Sequence, residues 1–157
     1  MSRFVAYRAL IALACGAGIA LAFAPPLTAS AYDNPYRRIP NIGEAVRLDG
    51  SVGGVSKAWA YYQQADLESY LRITIDGAAD KASYDEMQDA LGDVAHKVVS
   101  IGNGTRASVE EIEPYDYRGR NDVEVRVIVD EGNLQGRDVW TTLGELTDNS
   151  GQTFVRR

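Results

Sequence analysis

The chain has 157 residues, 22 acidic against 16 basic side chains, one cysteine and one histidine. That balance opposes binding to DNA, RNA or anionic lipid, which are held largely by Lys and Arg neutralising their charge. A lone cysteine allows neither a disulfide framework nor a thiolate metal cluster.

Arg3 and Arg8 precede an uninterrupted run of small and apolar residues from Ala9 to Ala24, the charged n-region and apolar h-region of a secretory signal. Pro25 and Pro26 end any helix there, and Ala29-Ser30-Ala31 forms an A-x-A site, so cleavage is expected between Ala31 and Tyr32. A retained membrane anchor is the alternative, but the run is short against the roughly 20 residues a spanning helix needs. Lipidation at Cys15 is disfavoured because the apolar run continues well past it. An exported protein of the bacterial envelope or its surroundings is expected. Residues 1–31 remove Arg3, Arg8 and Cys15, so the remainder is more acidic and free of cysteine.

Residues 32–43 read as an extended lead-in, because Pro35 and Pro40 interrupt any strand ladder, and residues 44–157 as a single domain of ordinary size. Val46 and Leu48 alternate, and Asp49-Gly50 predicts a tight turn between short strands. In residues 55–75, Trp59, Tyr61 and Tyr62 favour a strand over a short helix. Leu71, Ile73 and Ile75 alternate with Tyr70, Arg72 and Thr74 and predict a second strand.

Over residues 83–101, Tyr84, Met87, Leu91, Val94, Val98 and Ile101 recur at spacings of three and four, predicting one long helix with an apolar stripe. Ser83 and Glu86 fit a capping box at its start, and Gly102 follows its end. Four strands then follow: Arg106–Glu113, limited by Pro114; Asp122–Asp130, with Val123, Val125, Val127 and Val129 on one face; Val139–Leu143; and Gln152–Arg156. The expected class is α+β, a single antiparallel curved sheet whose valine face is covered by the long helix.

No catalytic constellation stands out. His96 falls on the solvent side of the helix, and Asp85, Asp89 and Asp93 form a row whose expected role is a solvated acidic face. Neither an EF-hand loop nor a phosphate-binding glycine loop occurs, so no metal and no cofactor are expected. Asn103-Gly104-Thr105 matches a glycosylation sequon, relevant only in a eukaryotic secretory route. Glu110, Glu111, Glu113 and Asp116 invite a glycosidase reading, which needs two carboxylates across a cleft.

Trp59, Tyr61, Tyr70, Tyr115, Tyr117 and Arg118 carry the partner-binding expectation. Aromatic rings beside arginines give large contact area at small entropic cost, provided the strand continues past Pro114. The reading is therefore a non-enzymatic exported domain that binds an envelope protein or a glycan, as an accessory subunit or inhibitor. Its alternatives are a small cell-wall hydrolase using the carboxylates of residues 110–116, and a carrier with an apolar pocket between helix and sheet.

Overall fold

The structure, a computed structural model, describes residues 35–80 and 84–156. The leader, the pair Ala31 and Tyr32, and Ser83 lie outside the described residues. In chain order the elements are β1 (Ala45–Leu48), β2 (Lys57–Tyr61), α1 (Gln64–Asp80), α2 (Tyr84–Ala95), β3 (Val98–Gly102), β4 (Thr105–Tyr117), β5 (Arg120–Val129), β6 (Asp138–Thr142) and β7 (Leu146–Thr147). The strands form one seven-stranded antiparallel sheet in the order β3-β2-β6-β5-β4-β1-β7, curled into a half-barrel. The expected α+β class and curved antiparallel sheet are both present, with strands before and after the helical segment.

The four alternating valines of β5 point into the curl. There they meet Val46 and Leu48 of β1, Ala58 and Ala60 of β2, and Leu143, Leu146 and Phe154 near the C-terminus, all fully buried. Each buried valine, leucine or phenylalanine contributes on the order of 1.5–3 kcal/mol by leaving water. The helices do not cover this valine face, contrary to expectation. The sheet closes over it by its own curvature, leaving α1 and α2 to cover the opposite face, where Tyr61 and Trp140 form a second cluster with Leu67 and Val94.

Residues 71–75 belong to α1 and not to a strand. Their alternation is real but short, and the seventeen-residue helix is decided by Leu67, Tyr70, Leu71 and Ile73, which pack on Tyr61 and Trp140. The expected helix over 83–101 is also divided. α2 ends at Ala95, Lys97 N–H closes a turn on Val94 C=O, and Val98 to Gly102 pair with β2 from Tyr61 to Lys57. Val98 and Ile101 happen to continue the helical spacing, but these β-branched residues satisfy a strand at least as well.

β4 runs straight through Pro114. Its first residues lie between β1 and β5, whereas beyond a bulge at Val109–Glu111 only β5 flanks it. Proline lacks a donor, and on an outer edge none is required. β4 and β5 then close in a two-residue turn, Arg118-Gly119, with φ of 49° and 74°. Both values are positive, as a type I′ hairpin demands.

Gln152–Arg156 is not a full strand. It makes isolated bridges, Thr147 to Thr153 and Tyr36 to Val155, and Arg37 N–H donates to Phe154 C=O at 2.6 Å. The segment before β1 is thereby fastened, Tyr36 being 8% exposed. Asp148 organises the adjoining turn by accepting from Ser150 N–H (2.9 Å), Ser150 Oγ (2.6 Å), Gln152 N–H (3.0 Å) and Arg37 Nη2 (2.8 Å). The bond donated by the Ser150 hydroxyl heads the causes that hold this carboxyl well below its usual range. A lowered native pKa stabilises the fold above the ordinary carboxyl value, and this stability is lost as pH falls through and below that value. Asp148→Asn is therefore expected to flatten part of the acid limb of a melting-temperature profile between about pH 4 and pH 2. An unchanged acid limb would remove Asp148 from the account of the C-terminal closure.

Candidate functional site

The aromatic residues singled out in the sequence come together, but as a packed seam and not as an open platform. Tyr61 of β2 is 1% exposed and Tyr115 of β4 is 8% exposed. Tyr70, on the inward side of α1, meets Trp59 edge-on at 6.1 Å between ring centres and Tyr61 at 6.0 Å. Tyr115 and Tyr117 lie 6.5 Å apart, with the Arg72 guanidinium 5.7 Å from the Tyr117 ring centre. Tyr117 OH donates to Asp76 Oδ2 at 3.1 Å, and Arg118 Nε lies 3.1 Å from Asp76 Oδ1, close enough for an ion pair without hydrogen-bond alignment. Thus the β4–β5 hairpin clasps α1, and its rings serve mainly as structure. Of the six residues proposed for binding, Trp59 and Arg118 remain exposed. Tyr62, half exposed at the end of β2, adds a third.

Beneath α1 lies Glu124, 1% exposed, between valines of β5. Alternation did locate it on the non-valine face; what it could not show is that a helix lies there. Gln64 Nε2 donates to Glu124 Oε2 at 2.8 Å, while Oε1 has no hydrogen-bond partner among the described residues. Burial pushes its carboxyl above the usual range, with the Gln64 bond pulling the other way. The Tyr115 hydroxyl is likewise raised by burial, and the nearby Arg72 opposes the shift without being aligned as a hydrogen bond.

The other acidic candidates are dispersed. Glu111 pairs with Arg126 at 2.9 Å, Glu113 lies across from Glu124 in the β4–β5 register, and Glu110 and Asp116 are exposed. Asp89, Asp93 and His96 are exposed on α2 or just after it, with His96 Nδ1 3.4 Å from Gly92 C=O. Among the described residues no group of three His, Cys, Asp or Glu side chains is placed to hold a metal ion, and no helix is long and apolar enough to cross a membrane.

The sheet's margins differ from one another. At β7 the tail bridges Thr147 and covers the strand. The outer margin of β4 beyond its bulge carries Pro114 together with Glu113 and Asp116, devices that discourage a further strand. At β3, the sheet ends on Val98–Gly102, and among the described residues β2 is its one strand neighbour. Beside this margin opens a cleft of about 300 Å³ lined by Ser100, Ile101, Gly102, Val129, Glu131 and Leu134 among others. Trp59, 40% exposed, stands opposite Ser100 in the β2–β3 register. Its strand is pinned from the other side, where β6 diverges: Trp59 N–H donates to Glu145 Oε2 at 3.1 Å, and Thr141 Oγ1 donates to Trp59 C=O at 2.8 Å. No known family matches the chain, and neither a curated protein nor a solved structure does.

Proposed function

We propose that this is an exported, non-enzymatic binding domain that takes an extended segment of a partner protein along the β3 margin. The observation that carries the reading is the contrast between margins: two are covered or guarded, while β3 presents a strand's backbone beside a cleft. A peptide added to a sheet gains affinity from main-chain hydrogen bonds and specificity from pockets for alternate side chains. On one face of β3 such a segment would lie beside Ser100 and the Trp59 indole. On the other it would meet Leu134 at the mouth of the cleft, above the buried Ile101 and Val129.

The experiment is a capture of partners from envelope extract, followed by affinity measurement on purified components. Trp59→Ala and Leu134→Glu, on opposite faces of the added strand, are each expected to weaken binding by about tenfold or more. Asp89→Asn on α2 serves as the control and leaves binding unchanged. Equal retention of the partner by all three variants would place the interface elsewhere.

A further inference from the structure

We propose that Glu124 makes the seating of α1 on the sheet dependent on pH, firm when its carboxyl is protonated and loosened when it ionises. The geometry points to this independently of the β3 margin. The side chain is 1% exposed between β5 and α1, and one of its oxygens has no hydrogen-bond partner among the described residues. Among the described residues its side chain is hydrogen-bonded by Gln64, at the start of the helix itself.

The charged and titratable groups facing it make ionisation costly. α1 contributes Glu68 and Arg72, β5 contributes Asp122, and β4 contributes Tyr115 and Glu113, the last directly across the strand pair. Thr142, opposite on β6, does not titrate. Arg126, two residues along β5, is engaged by Glu111 and Asp138. Three carboxylates thus stand against one facing cation, Arg72, whose side chain also pairs with Glu68 at 3.0 Å. A buried charge without adequate compensation is expensive, and the cheapest relief is to lift the element that excludes water. That element is α1, which also seals the rings of Tyr61 and Trp140.

The sign follows from burial having raised the folded carboxyl's pKa. Below the ordinary carboxyl value, docked and undocked forms are both protonated and the group has no effect. Between that value and Glu124's own, the fraction with α1 undocked rises about tenfold per pH unit, and above the latter it levels off. Hydrogen exchange of α1 amides, corrected for intrinsic rate and measured from about pH 4 to pH 8, reads this directly. The expected result is protection in α1 that falls with pH relative to the β4–β5 amides, and Glu124→Gln protein in which that fall is absent. Carbon-13 titration of the Glu124 carboxyl in the unmodified protein provides a second measurement that needs no variant. Identical pH dependence in both proteins, or a Glu124 carboxyl already ionised at and above pH 5, would overturn the proposal.

Discussion

Phe154→Ala is expected to destabilise the domain by about 3–5 kcal/mol, read as a lower midpoint in urea unfolding with little change in slope. Phe154 is fully buried although its segment makes only isolated bridges and no full strand. It belongs to the core that includes Tyr36, Val46 and Leu146, and the Arg38 guanidinium lies 4.5 Å from its ring centre. Arg38 is held there by two hydrogen bonds to Glu44, of 2.9 and 2.6 Å. Truncating the ring therefore leaves a cavity lined by residues fixed from several strands, and little of it can collapse. A loss below about 1 kcal/mol would mean that the C-terminal tail is not the closure of the half-barrel.

Gly50→Ala has the largest expected effect at a single turn. A Cβ on Gly50 would stand 2.1 Å from the Lys57 carbonyl oxygen and 2.8 Å from Val55 Cγ2, so backbone and not merely a side chain must move. Asp49 caps the 3-10 turn Gly50–Gly53 by accepting from Ser51 N–H at 2.9 Å, and Gly50 N–H donates to Asn103 Oδ1 at 3.0 Å, tying the turn to the β3–β4 connection. Overpacking of this kind costs on the order of 1–3 kcal/mol. Because Lys57 opens β2, the displacement passes into the β2–β3 pair, and partner binding at β3 should weaken along with stability. Wild-type melting temperature and wild-type affinity in Gly50→Ala would show that the turn accommodates the methyl group without moving β2.

Much of the β part of this fold was legible because its signals are local. Val123 to Val129 alternate over a full strand, and Trp59 and Tyr61 sit in a strand as their residue types favour. The helical segment was less legible because two periodicities coexist in few residues. Leu71, Ile73 and Ile75 fit period two, and Val98 with Ile101 fits a helical stripe, so tertiary packing made the decision in both places.

The candidate site was less visible still, since its properties come from what packs over each residue. Tyr61 and Tyr115 carry the same chemistry whether exposed or buried, and only the position of α1 separates these cases. Glu124 looks like any outward acid between valines. The β3 margin depends on which strand ends the sheet, a fact of topology that no spacing within Val98–Gly102 expresses. Pro114 reads in the sequence as the limit of its strand, but β4 continues past it to Tyr117; the proline instead guards an outer strand margin, and it is the margin lacking such a guard that the functional reading uses.

Site-specific photo-crosslinking tests the binding account most directly. A photoreactive residue is placed in turn at Ser100, at Leu134 and, as a control, at Asp89, in cells that produce the protein, and the crosslinked peptides are sequenced by mass spectrometry. Ser100 and Leu134 are expected to capture residues of opposite alternation within one short stretch of the same partner, and Asp89 none of that stretch. Crosslinks from Ser100 and Leu134 to unrelated proteins, or a shared partner captured chiefly from Asp89, would contradict a strand added at β3.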